Sequence, residues 1–238
     1  MARERFETLS QTQPQTLAQE RAAAFLRRVY WWMTVGLGVT GAAAWVVVVS
    51  PGMQRFIFGN PIVFFGLIIV QLVLVFSLSA RAERMTVQGA VGTFLIYSLL
   101  MGLTLSSIFL VYTANSITQV FFITAGTFAG TSLWAYTTKR NLASWGSFFM
   151  MGLIGIIIAS VVNLFLQSPA LYWAISYIGV FVFVGLTAYD TQRLTLMGAQ
   201  GFGDEAAATK ASVVGALILY LDFVNLFLLL LRIFGRRS

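Results

Sequence analysis

The sequence predicts an all-α integral membrane protein, a bundle of seven transmembrane helices. Three observations carry that expectation: 58% of the 238 residues are hydrophobic, only 10% are charged, and the mean hydropathy is +0.84. A soluble domain carries about 25% charged residues and under half apolar ones, and disordered chains depart in the opposite direction. Each helical crossing takes roughly 20 apolar residues. The chain after its polar start is long enough for such crossings, and no connection between them is long enough for a soluble core. The absence of Cys and His excludes a disulfide framework, the usual zinc and haem sites, and cysteine or Ser–His nucleophiles. No catalytic constellation and no resident cofactor are predicted. The two lysines, Lys139 and Lys210, sit between apolar spans, which argues against a buried Schiff base.

Residues 1–22 (MARERFETLSQTQPQTLAQERA) are polar, lack the compact apolar region of a cleaved signal, and are expected to form a mobile tail. Residues 23–238 then form the transmembrane domain. Apolar spans are expected at about Val29–Val49, Pro61–Ala80, Ala90–Tyr112, Ile117–Tyr136, Trp145–Leu166, Leu171–Tyr189 and Ser212–Leu231. Helix stops separate several of them, among them Ser50-Pro51-Gly52, Asn60-Pro61 and Ser168-Pro169. Alternating crossings put eleven Lys and Arg residues on the N-terminal side and four on the other. The positive-inside bias therefore makes the N-terminus cytoplasmic. The net charge of +7 lies in these flanking segments, as orientation signals do, so nucleic acid is not an expected partner. Gly126-Thr-Phe-Ala-Gly130 matches the GxxxG pattern, for which packing inside the bundle is expected and a dimer face is the alternative.

Six of the eight acidic residues lie in polar segments. The other two do not: Asp190 ends the sixth apolar span in GLTAYDTQRL, and Asp222 sits inside the seventh in GALILYLDFVNLF. A charge near the bilayer centre costs at least about 2.5–3.5 kcal/mol, so it normally faces a partner or water. On adjacent antiparallel helices the two reach comparable depth if Leu194-Thr-Leu-Met197 extends the sixth helix. Two such carboxyls share a proton. Lowering pH gives a hydrogen-bonded pair; raising it leaves two repelling charges that spread the helices, admit water or attract a cation. A hard cation such as Ca²⁺ takes 6–8 oxygen ligands, and Asp190 and Asp222 with Asn225, backbone carbonyls and waters would make a weak metal site. The alternative for Asp190 is a solvated helix cap beside Arg193. Asn163 and Gln71 are candidates to line the same polar path, or to bridge helices by hydrogen bonds. Tyr189-Asp190 and Gly201-Phe-Gly-Asp204 imitate the YD and GxGD pair of intramembrane aspartyl proteases. Only 14 residues separate those aspartates, however, and Asp204 lies in a polar run.

At the two aspartates the chain is similar to a known family. VGLTAYDTQRL (184–194) and GALILYLDFVNLFLLLLRIFG (215–235) closely resemble the transmembrane Bax inhibitor motif, or Bax inhibitor-1, family. GLTLSSIFLVYT (102–113) and YTTKRNLASWG (136–146) resemble bacterial members of its inner-membrane branch. The resemblance implies a seven-helix bundle with the C-terminal helix central, in the bacterial inner membrane. It also implies a pH-sensitive calcium leak with Asp190 and Asp222 as proton and calcium sensor, and an arginine latch from the second helix, for which Arg81 and Arg84 are the candidates. The function expected is a cation leak channel, calcium the favoured ion, gated by that pair. A non-transporting regulator of a membrane protease or other membrane partner, and a proton-coupled calcium exchanger, are the alternatives. The expected partners are the lipid bilayer, calcium and protons, and the chain is expected to be a monomer.

Overall fold

The computed structural model describes residues 2–237, with side chains described from Thr16 to Arg237. Among these residues the chain forms eight α-helices: α1 Ala2–Val48, α2 Pro51–Phe58, α3 Pro61–Arg81, α4 Val87–Leu105, α5 Ala114–Thr137, α6 Ala143–Leu166, α7 Pro169–Gln200 and α8 Glu205–Phe234. No strand forms among them; one isolated antiparallel bridge joins Tyr112 and Arg237. The boundaries follow from local chemistry. Pro51, Pro61 and Pro169 open α2, α3 and α7, where a missing N–H costs nothing. Asn60, Thr86 and Asp204 cap the next helices, Asp204 Oδ1 accepting from the Ala207 N–H at 2.6 Å.

Six of the eight helices are long and apolar enough to cross a membrane, so the chain is a multi-pass membrane protein. The expected count of seven differs by α5. That helix has 24 residues, as many as α6, but its Asn, Gln, Ser, Thr and Gly residues hold it below the apolarity of the other six. The short α2 was not expected, and it occupies the first connection. Helix α1 begins at Ala2, within the polar segment expected as a mobile tail, and continues into the first span, with Ala22 buried.

Contacts sort the helix ends into two groups. At one end Arg28 of α1 pairs with Glu205 of α8 at 2.6 Å. There, too, Lys210 Nζ donates to the Glu83 carbonyl at 2.8 Å, and Gln192 of α7 bonds Leu142 N–H and the Arg140 carbonyl. At the other end, Thr113 N–H donates to the Arg236 carbonyl, Arg236 N–H donates to Ser116 Oγ, and the Arg232 guanidinium stands 5.5 Å above the Tyr172 ring. Helix α8 therefore runs from one end of the bundle to the other.

Helix α8 is also the core. Of its most apolar stretch 72% is buried, against 11% for the α3 span and 6% for α6. It packs on α7, α1, α5 and α4, while α6 packs chiefly on α7 and leaves Ile154, Ile158, Leu164 and Phe165 exposed to the lipid. Glycines set the closest approaches. A side chain at Gly36 would meet the Phe94 ring of α4, and one at Gly102 the α1 backbone. Gly126 and Gly130 behave differently: a Cβ on either meets nothing within 4 Å. The expectation that this GxxxG packs inside the bundle is thus corrected, because α5 turns both glycines outward.

Candidate functional site

Helices α7 and α8 lie antiparallel, and small residues let them approach closely. Gly179 faces Leu229, and Gly215 faces Leu194; an added Cβ at either glycine would come within 2.8 Å of the leucine. These two contacts bracket Asp190 and Asp222. Asp190 is 8% exposed and Asp222 5%, and their carboxyl groups lie within hydrogen-bond reach of each other. Asp222 Oδ2 is fully enclosed and receives no hydrogen bond from any N–H or hydroxyl among the described residues. Carboxylate oxygens only accept, so a hydrogen bond between the two carboxyls requires one proton between them.

Asp190 does not cap its helix. Helix α7 continues ten residues further, to Gln200, about 15 Å at helical rise. Asp222 lies 17 residues into α8, about 26 Å from its start and 18 Å from its end. The pair is therefore deep within the bundle. Around it Leu186, Thr187, Leu219, Phe223 and Leu226 are buried. Thr191, next to Asp190, donates to Ser132 Oγ of α5 at 3.3 Å and ties a third helix to the site.

The other expected residues are placed as follows. Arg81 and Arg84 are exposed at the end of α3, and neither forms an ion pair with Asp190. Arg193, one turn further along α7 than Asp190, is exposed as well. Asn225, one turn beyond Asp222, donates Nδ2–H to the Leu221 carbonyl at 2.8 Å, so its amide is turned to its own helix. Gln71 forms the interhelical bridge that was its other expected reading, and Asn163 bonds the end of its own helix. Gln71 is buried and donates to the Leu100 carbonyl and Thr104 Oγ1 at 3.3 Å, bridging α3 to α4. Asn163 closes the C-terminal end of α6, its Oδ1 accepting from Ser168 N–H at 2.9 Å. Gln71→Leu should lose interhelical bonds of the kind worth about 0.6 kcal/mol on average in membranes. Thermal unfolding in detergent should show a small loss, and an unchanged midpoint would count against the bridge. Asp204 is an exposed helix cap, as its polar run implies, so a protease pair with Asp190 is not assembled.

One buried polar cluster carried no motif. The Tyr220 hydroxyl lies 2.6 Å from Thr40 Oγ1, which is 2.9 Å from the carbonyls of both Gly36 and Ser98. Those carbonyls only accept, so Thr40 spends its one proton on them and Tyr220 donates to Thr40. The Tyr220 ring meets Phe94 and Tyr97 edge-on at 5.9 and 5.8 Å. The cluster joins α1, α4 and α8 and fixes the rotation of α8 two residues before Asp222. Its only sequence signal is a Thr between glycines in a span.

As a metal site the pair is incomplete. Among the described residues no group of three or more Asp, Glu, His or Cys comes together, and even four carboxyl oxygens fall short of the 6–8 that Ca²⁺ prefers. Further ligands would have to be water or backbone carbonyls. Chemically, the arrangement can hold or release a proton between two helices, and can attract a cation when the proton leaves.

The fold and site define a polytopic all-α membrane protein built around a helix that carries one half of a buried acid pair. Residues 22–238 match the family model described as "Inhibitor of apoptosis-promoting Bax1". The chain belongs to this Bax inhibitor-1-like family. It is 52% identical over 225 residues to "Inner membrane protein YbhL" of Escherichia coli strain K12, covering 93% of this chain and 96% of the relative. Uncharacterized proteins of Borreliella burgdorferi and Deinococcus radiodurans are 44% and 40% identical over 213 and 230 residues. Those alignments cover 90% and 97% of this chain and 92% and 97% of theirs.

Proposed function

We propose that this protein is a pH-sensitive cation leak of the bacterial inner membrane, with calcium the favoured ion, gated by Asp190 and Asp222. The single observation that carries the reading is the contact between two buried carboxyls on adjacent helices, one of them the bundle's central helix. With the shared proton the pair holds α7 and α8 together. Without it, two like charges in a poorly hydrated site repel, and water or a cation must enter.

We also take α5 as a seventh crossing. Its 24 residues span about 36 Å, and it begins at the end that holds Arg236 and finishes at the end that holds Arg140. With seven crossings the two ends of the chain lie on opposite sides, and the eleven-to-four charge bias supports a cytoplasmic N-terminus. The name of the Escherichia coli relative supports the inner membrane as the location.

The sign of the pH effect follows from proton linkage. The packed state holds a proton that the open state lacks, so acid favours closure and alkali favours opening. Calcium efflux from liposomes containing the purified chain should rise as pH is raised. A flux indifferent to pH refutes the gate. Calcium driven uphill by an imposed proton gradient would instead assign obligatory exchange, and no flux at all would favour a non-transporting regulator.

A further inference from the structure

A second site lies away from the acid pair. Helices α1 and α5 both pack on α7 or α8 but scarcely on each other. Between them runs a groove of about 520 Å³, floored by Phe223 of α8 and walled by Met33, Ala125, Phe128, Ala129 and Leu133. Toward one end α1 lines it with Ala23, Leu26, Arg27 and Tyr30, and α5 with Tyr136. This is the end where Arg28 meets Glu205 and where the α5–α6 connection lies.

We propose that this groove binds one anionic phospholipid of the cytoplasmic leaflet, its acyl chain against α1 and α5 and its phosphate at Arg27. Three features select that occupant. The first is length. From Ala125 to Tyr136 the groove wall covers 11 helical steps, about 17 Å, close to half of a hydrocarbon core about 30 Å thick. One leaflet's acyl chain fits that length. The second is charge. Arg28 is engaged by Glu205, while Arg27 is exposed and forms no ion pair among the described residues, which leaves its guanidinium available to a phosphate. The third is the amphipathic rim, where Tyr30 and Tyr136 stand as interfacial tyrosines do. The groove floor also belongs to the core: Phe223 meets Phe128 at 5.5 Å and Phe121 at 5.6 Å. The site does not depend on ion conduction.

The test is lipid retention by the full chain in detergent, counted by native mass spectrometry against phosphatidylglycerol and phosphatidylcholine of the same acyl composition. The wild type should prefer phosphatidylglycerol by about fivefold, the worth of one arginine near an anionic surface. Arg27→Gln should abolish that preference, and Lys139→Gln, an exposed cation at the same end, should keep it. Ala129→Trp, at an exposed position that needs no repacking of the core, should reduce retention of both lipids. The proposal is overturned if the wild type shows no preference, if Arg27→Gln retains it, or if Ala129→Trp leaves retention unchanged. Oleate competing as well as phosphatidylglycerol would assign the groove to a fatty acid and overturn the phospholipid. Because the chain has no native cysteine, disulfide dimers of Ala129→Cys in membranes would show a second copy covering the groove, and would overturn it too.

Discussion

Asp222→Asn should flatten the pH dependence of calcium flux while leaving the bundle folded. The asparagine amide can donate to Asp190, so the contact across α7 and α8 survives, but the second negative charge never forms. In the wild type, two carboxylates about 4 Å apart repel by on the order of 4 kcal/mol at an effective dielectric of 20. Each 1.36 kcal/mol is tenfold in an equilibrium constant, so this is a factor of about a thousand. A gate open 1% of the time would then be open about nine times in ten, close to the full switch that takes about 5.5 kcal/mol. The asparagine variant loses nearly all of that leverage. Flux from liposomes at stepped pH, compared with wild type and with Asp190→Asn, reads the effect directly. The two variants should behave alike, because either substitution leaves only one ionisable carboxyl. A steep pH response surviving in either would place the sensor elsewhere.

Gly102→Ala should destabilise the bundle far more than Gly126→Ala, although both remove a glycine from a membrane helix. A Cβ on Gly102 would press into the Thr40 carbonyl oxygen and lie 2.7 Å from Ala43 Cβ. The Thr40 oxygen belongs to the α1 backbone, which cannot rotate away as a side-chain tip could. Thr40 also holds the Tyr220 hydroxyl at 2.6 Å, so moving α1 stretches the cluster that fixes α8. Overpacking of this kind costs about 1–3 kcal/mol, and each kcal/mol lowers Tm by about 2–4 °C in a chain of this size. Gly126 has open space where its Cβ would go, and its substitution should stay within about 0.5 kcal/mol. Equal midpoints for the two variants, in the same detergent, would contradict the close approach of α1 and α4.

What the sequence made legible was set by how few explanations each residue allows. An aspartate inside LILYLDFVNLF has almost no inert reading, so Asp222 stood out, and Asp190 followed from its neighbourhood. The helix ends were less legible. Hydropathy marks the membrane rather than the helix, and α7 continues eleven residues past Tyr189 through Thr, Gln and Arg. Gln71 and Asn163 looked equivalent as mid-span amides. Only three-dimensional placement separates a bridge between helices from a cap on one turn. The resemblance put an arginine latch at the end of α3, while Arg193, read beside Asp190 in the sequence, lies one turn along the same helix. Thr40 and Tyr220 gave little signal beyond a Thr between glycines, because both residue types are at home in an apolar span. The Thr–Tyr contact joins positions 180 residues apart.

The proton that the proposed gate would share can be sought directly. Difference infrared spectroscopy of the reconstituted chain, titrated from acid to alkali, reports the carbonyl stretch of a protonated carboxyl. The wild type should show, beside the bands of its six other acidic side chains, a component that is lost on raising pH in step with the rise in calcium flux, and the wild-type minus double-variant (Asp190→Asn, Asp222→Asn) difference should isolate that component. Identical titrations of wild type and double variant, or a component whose loss is unconnected with flux, would contradict the claim that these two acids hold the gate.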